Sequence, residues 1–392
     1  MNQNLALQRN SWVDVVRGLA ILGVITVHTI QFATVVQNQH GFQGFNPIQQ
    51  TLSFGKYGVE VFFFISGYLL TTIYGIDGNI KRRAYWLSRI GRIWPLWILF
   101  LAGYAFQFFL GFGGPVTAAV DNSVSAGQEI NIWVLLVLAF FFMLWFSQSL
   151  WNTVIPGGWS IQVEVAHYLV FPFLKSKNFK NLFLCLISIN IFTHSINALI
   201  HVDFIPKGPL FDVVSAWIRL GAYSTFGYFL IGLIVAASVS KGKISFSWLS
   251  GLVRNEKSLP ALFSIWFFTW IFAPIPFGTN FEALVYLILM LLVSSAVMKY
   301  QWLQKSIKTI GKYSYNLYFS HFLILWCLTA LMDKFPEVVP SFLVGRLGES
   351  ILFSLTFVLV LLIALPIAWI SWRYFEFPIL RFIKSRSQTT SA

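Results

Sequence analysis

The chain has 392 residues, of which 57% are hydrophobic, 18% aromatic and only 10% charged, with a formal net charge of +13. Soluble domains carry roughly 25% charged residues, so this composition excludes an ordinary soluble fold and predicts an all-α polytopic membrane protein. The only two cysteines, Cys185 and Cys327, both fall inside apolar runs, which leaves no disulfide framework and no cysteine metal site.

The opening stretch "MNQNLALQRNS" lacks the ordered charged start, apolar run and small-residue cleavage site of a secretory signal, so the first apolar segment is expected to be an uncleaved anchor. Spanning segments are predicted at about 14–36, 57–76, 93–112, 131–149, 181–200, 219–239, 259–273, 281–298, 314–332 and 349–371, each near the length a bilayer core requires. With the N-terminus cytoplasmic, only Lys56, Lys207, Arg219, Lys334 and Arg346 of the 27 basic residues fall outside. That positive-inside bias accounts for the net charge without invoking nucleic acid.

Residues 151–174, "WNTVIPGGWSIQVEVAHYLVFPFL", lie between two stretches that the charge rule places inside. Pro156, Gly157, Gly158 and Pro172 interrupt or bound them, and they contain Glu164 and His167. Broken backbone at membrane depth is tolerated only where it is buried in protein or lines a cavity. A re-entrant or short tilted element is therefore expected beside about ten transmembrane helices, with both termini cytoplasmic. Eleven spans with one terminus outside is the alternative. The reading is one integral membrane domain over residues 1–384 followed by a short disordered tail, 385–392. Neither an internal repeat nor a stretch long enough for a separate soluble domain is visible.

Ionisable residues embedded in apolar sequence mark candidate functional positions. In "VVRGLAILGVITVHTI", Arg17 and His28 are 11 positions apart, about three helical turns and about 16 Å, so they lie on one helix face. Asp14 is placed to pair locally with Arg17. Glu60, in "GVEVFFFISGYLL", falls near the outer end of the second span. Two consecutive antiparallel spans would bring it to the depth of His28, where a carboxylate would orient the imidazole and raise its basicity as a general base requires. An interhelical hydrogen bond alone would be the structural reading of His28.

At the cytoplasmic entrance to the third span, "RRAYWLSRIGRIWPLW" carries Arg82, Arg83, Arg89 and Arg92 among aromatics. Guanidinium forks suit phosphate groups, although topology retention also explains a basic loop. His321, in "GKYSYNLYFSHF", is predicted mid-span, facing a cavity or bridging helices. No pair of histidines shows metal-ligand spacing, and there is no Walker A loop, GxSxG elbow or GxGxxG.

Taken in order, these motifs resemble membrane acyltransferase family 3, which includes O-acetylases of bacterial O-antigens and exopolysaccharides. The resemblance runs from Arg17 and His28 through Ser66–Gly67 in "GVEVFFFISGYLL" and the RxxR of Arg89 and Arg92 followed by Pro95. It continues with Trp159, Ser160, Glu164 and Tyr168 in "GGWSIQVEVAHYLVFP", and closes with "GKYSYNLYFSHF" and "YFEFP". His167 stands where the family more commonly has an aromatic residue, and the soluble esterase-like domain of some relatives is absent.

The resemblance implies a multi-pass protein of the bacterial inner membrane that transfers an acyl group, acetyl by preference, from cytoplasmic acyl-CoA to a hydroxyl of an envelope or exported carbohydrate. Acetyl-CoA would be a substrate and no cofactor would be tightly bound. Partners of polysaccharide biosynthesis are compatible with that role. His28 would act as base or as transient acyl carrier, oriented by Glu60. Arg17 would bind donor phosphate or stabilise developing charge. Arg82, Arg83, Arg89 and Arg92 would hold acyl-CoA, while Ser66, Trp159, Glu164, Tyr168 and His321 would position substrate. A polysaccharide or small-molecule exporter without transfer chemistry is the alternative, although the paired half-repeats typical of transporters are not seen.

Overall fold

The computed structural model describes residues 11–42, 52–75, 80–111, 116, 131–144, 154–174, 179–201, 222–242, 278–335, 337 and 339–389. In chain order the helices are α1 (Ser11–Gln39), α2 (Gly58–Tyr74), α3 (Arg82–Phe109), α4 (Ile132–Phe140), α5 (Gly158–Leu174) and α6 (Phe179–His201). They continue with α7 (Ala222–Ser240), α8 (Gly278–Val297), α9 (Gln301–Lys312), α10 (Ser314–Lys334), α11 (Arg346–Ser371) and α12 (Phe377–Thr389). A 3-10 turn, Ser53–Tyr57, leads into α2, and a π-helical turn, Trp372–Glu376, joins α11 to α12.

There is no strand among the described residues. Five helical stretches there are long and apolar enough to cross a membrane: Trp12–Gln39, Ser53–Tyr74, Arg82–Phe109, Ser314–Lys334 and Arg346–Ile383. The expected span at 259–273 lies outside the described residues. Of the stretch at 131–149, only Ile132–Phe140 forms a helix within the described part, and Phe142 just beyond it adopts a positive φ of 59°. The chain divides into two compact units: Met1–Ile65 with Gly242–Trp369, and Ser66–Lys241 with Ile370–Ala392.

The first unit is organised around α1. Glycines let neighbouring backbones press directly on it, the small-residue logic of helix packing in lipid. A Cβ at Gly18 would collide with the Ile307 carbonyl, and one at Gly311 with the Asp14 carbonyl, so α9 runs antiparallel along the first turns of α1. Val15, Val297 and Ile307 form the buried core there, with Leu19, Leu303 and Ile310 packed against it. Lys305, Lys308 and Lys312 remain exposed. The residues between the spans expected at 281–298 and 314–332 thus form an amphipathic helix with these lysines as its outer stripe.

At the other end of α1, Gln37 is buried and clamps the start of α11. Its Nε2 donates to the Leu343 carbonyl at 2.6 Å, and its Oε1 accepts from the Gly345 N–H at 2.8 Å.

In the second unit α3 continues through Pro95, with Trp97 fully buried and donating to the Ala139 carbonyl of α4 at 2.9 Å. Gly91 lies against Ile383 and Leu380 of α12, and Gly67 against the Phe229 carbonyl of α7. The interruption expected in 151–174 is confined to its start. A turn with Gly157 at φ +73° precedes α5, which then continues unbroken through Pro172 in its last turn.

Candidate functional site

Because α1 is one unbroken helix, Arg17 and His28 share a face as their spacing predicts, and both are half-buried. His28 Nδ1 lies 3.1 Å from Nε2 of His321, which α10 presents from behind it, fully buried. The ring centroids are 5.2 Å apart and the planes 30° from parallel, so the two imidazoles meet nitrogen to nitrogen, edge to edge. His321 Nδ1 donates to the Leu317 carbonyl at 2.8 Å. Phe322 packs on both rings, with centroids 4.3 Å from His28 and 4.2 Å from His321. Nε2 of His28 makes no hydrogen bond among the described residues.

Glu60 is not the partner of that histidine. The 3-10 turn carries the chain along α1 before α2 begins, with Gly55 against Gly23 and Gly58 against Ala20 and Val24. Glu60, in the first turn of α2, therefore starts from a level four to eight residues before His28, about 6–12 Å along the helix. Its electrostatic neighbours are Lys56 and Tyr286, and its buried Oε2 accepts no hydrogen bond among the described residues. The expectation assumed that the second span begins at the membrane surface. The 3-10 turn removes that premise.

The second unit gathers the remaining candidates into one polar cluster. Glu164 of α5 is buried, and its Oε1 accepts from Ser66 Oγ of α2 at 2.9 Å and from the Tyr168 hydroxyl one turn further along α5. Arg89 of α3 is buried to 9% exposure, its guanidinium 5.4 Å from the centre of the Tyr168 ring and 5.9 Å from that of Tyr74. Tyr85 donates to the Tyr168 carbonyl at 2.7 Å. Ser88 gives its proton to the Tyr85 carbonyl at 2.7 Å, so its oxygen is left to accept from Tyr74 at 2.8 Å and from Arg89 Nε at 3.3 Å. The terminal nitrogens of Arg89 find no protein acceptor among the described residues, and no carboxylate pairs with them.

Arg92, one turn along α3, is half-buried and within electrostatic reach of Tyr168, whereas Arg82 and Arg83 are exposed at the start of the helix. Trp159 is half-buried in the first turn of α5. His167 stacks on Phe229 with centroids 4.8 Å apart and planes 21° from parallel, so it serves as a ring in an aromatic cluster. The sequence reading did not single out Tyr74, Tyr85 or Ser88. Only Tyr85 left a local signal, one helical turn before Arg89.

An imidazole nitrogen without a partner on a half-buried ring can take a proton or an acyl group, and a buried guanidinium without an anion among the described residues is equipped to bind a phosphate. The chain belongs to the acyltransferase 3 family, whose model, described as an acyltransferase domain, matches residues 10–373. Similar proteins include one of Staphylococcus aureus (strain COL) bearing the name "Putative O-acetyltransferase", 26% identical over 168 residues, which are 41% of this chain and 24% of that protein. Another is the "Putative peptidoglycan O-acetyltransferase YrhL" of Bacillus subtilis (strain 168), 26% identical over 164 residues, 41% of this chain and 23% of that protein. The aligned region thus spans about a quarter of each relative's length. No solved structure matches the chain. Family membership and the five long apolar helices are those of a membrane protein of this acyltransferase family.

Proposed function

We propose that this protein transfers an acyl group, acetyl by preference, from acyl-CoA to a hydroxyl of a cell-envelope carbohydrate at the bacterial cytoplasmic membrane. The observation that carries the reading is His28: an imidazole on the Arg17 face of a spanning helix, held through Nδ1 with Nε2 left bare. In the reaction, His28 Nε2 accepts the proton of the attacking hydroxyl, the oxygen bonds to the thioester carbonyl carbon, and the carbon–sulfur bond breaks to release coenzyme A. Arg17, on the same face about 16 Å away, binds the anionic part of the donor or offsets its charge.

In the second unit, Arg89 takes a donor phosphate through its free terminal nitrogens, with Arg92 beside it and the exposed Arg82 and Arg83 attracting the anion. Glu164 Oε2, which no described residue engages, positions a hydroxyl or amide of the substrate, with Ser66, Tyr168 and Trp159 ordering the element that carries it. The peptidoglycan named for the Bacillus relative makes a glycan acceptor the first choice.

The test is transfer of labelled acetyl from acetyl-CoA into envelope carbohydrate by membranes carrying this protein, beside His28→Ala membranes at equal protein level. Loss of a positioned general base lowers turnover by about 10²–10⁴-fold, so label should appear with the wild type and fall to background in the variant. Equal label in both would remove His28 from the chemistry. Absence of label from wild-type membranes supplied with acetyl-CoA and native envelope would overturn the acetyl-transfer reading itself.

A further inference from the structure

We propose that His321 is the positioning residue of the reaction: it takes the Nδ1 proton of His28 and so presents His28 Nε2 as the atom that exchanges protons with the substrates. This rests on the acyl-transfer reading above and deepens it. Glu60 takes no part in this assignment, because it lies at another level of α1.

The Leu317 carbonyl can only accept, so the hydrogen in its 2.8 Å contact belongs to His321 Nδ1. A neutral His321 then has a bare Nε2, and the 3.1 Å contact to His28 must be donated by His28 Nδ1–H. That acceptor demands hydrogen on His28 Nδ1, and a neutral ring then carries none on Nε2.

The reverse assignment requires an imidazolium at His321, a residue with 0% exposure packed by the rings of Phe322 and Tyr318. A buried cation without a paired anion is far costlier than a neutral ring. A bridging metal ion would also bring two imidazole nitrogens close together. However, no group of three metal-ligating side chains exists among the described residues, so the contact is assigned as a hydrogen bond.

The dyad also directs the proton. When Nε2 takes the proton of the acceptor hydroxyl, His28 becomes an imidazolium and its Nδ1–H bond to His321 becomes charge-assisted and stronger. The far side of His321 ends on a main-chain carbonyl, which cannot carry the proton away. The proton therefore returns through Nε2 to the departing coenzyme A thiolate. The acceptor loses a proton and gains the acyl group, and coenzyme A leaves as the thiol.

Two measurements on the full chain test this. In wild-type protein in nanodiscs with ¹⁵N-labelled histidine, the His28 signals, assigned by their loss in His28→Gln, should report a neutral ring protonated at Nδ1 and coupled to His321 nitrogen. A ring protonated at Nε2 would overturn the proposal. In membranes supplied with labelled acetyl-CoA, His321→Phe should lower turnover on the order of 10²-fold with little change in the KM for acetyl-CoA. His321→Gln, whose side-chain carbonyl can accept from Nδ1, should restore most of that loss. Wild-type turnover in the Phe variant, or a Gln variant as poor as Phe at equal protein level, would refute the positioning role. The expected tautomer in a wild type that transfers no acetyl would sink the acyl-transfer reading while leaving the hydrogen bond standing. Transfer with the opposite tautomer would sink the dyad alone.

Discussion

Replacing Arg89 by alanine removes a guanidinium that the fold holds ready and to which no described residue offers an anion. The side chain is fixed by Ser88 through Nε and lies over Tyr74 and Tyr168, so its terminal nitrogens are preorganised for an incoming ligand. A hydrogen bond to a charged group contributes about 1.5–3 kcal/mol, which corresponds to roughly a 10- to 150-fold loss of affinity if one phosphate contact disappears. The KM for acetyl-CoA should rise by that factor with a smaller change in kcat. Arg89→Lys should fall between, because it keeps the charge but loses the fork and the ring contacts.

Dephospho-acetyl-CoA, which lacks the ribose 3′-phosphate, sharpens the assay. If Arg89 holds that phosphate, the variant and the truncated donor each weaken binding, but together they cost little more than either alone. If it holds the pyrophosphate, the two losses add. Arg89→Ala protein that binds acetyl-CoA with wild-type affinity at an unchanged unfolding midpoint would refute the reasoning.

Three further outcomes follow from the packing. Glu60→Gln should leave the His28 tautomer unchanged by the ¹⁵N measurement, and a switch to Nε2–H would restore the carboxylate–imidazole partnership that the geometry denies. Gln37→Leu strips partners from the Leu343 carbonyl and the Gly345 N–H, each worth about 1–3 kcal/mol when left unsatisfied, and should lower the thermal unfolding midpoint in detergent; an unchanged midpoint would mean that water replaces both bonds. Gly311→Val drives a side chain into the Asp14 carbonyl and should destabilise by about 1–3 kcal/mol or more, visible as reduced folded yield, whereas normal yield would show that α9 can step away from α1.

The sequence carries the local part of this architecture well and the non-local part poorly. Arg17 and His28 share a face because one helix holds both, and an 11-residue spacing encodes that without help from the rest of the chain. The amphipathic α9 was legible too: Leu303, Ile307 and Ile310 recur at helical spacing with Lys305, Lys308 and Lys312 on the other side. Counting spans by charge used its lysines only as topology markers. Tyr85 sits one turn from Arg89, but Tyr74 and Tyr168 reach the same guanidinium from other helices. No spacing rule connects them.

The error over Glu60 is the instructive one. Depth was inferred from position along a span, on the assumption that each span starts at the membrane surface. Five residues of 3-10 turn, Ser53–Tyr57, are enough to break that assumption, because Gly55 and Gly23 let two backbones touch where side chains would have kept them apart. The carboxylate is thereby carried past the histidine it was expected to serve. Into its place comes an imidazole 293 positions away along the chain. A neutral acceptor can sit behind His28 against the Phe322 ring without the desolvation penalty that a buried carboxylate would carry. Its far nitrogen is satisfied by its own helix through Leu317, so it needs no third residue to orient it. What a carboxylate would supply by charge, this pair supplies by geometry, and the difference lies in how strongly the imidazolium is stabilised once the proton has arrived.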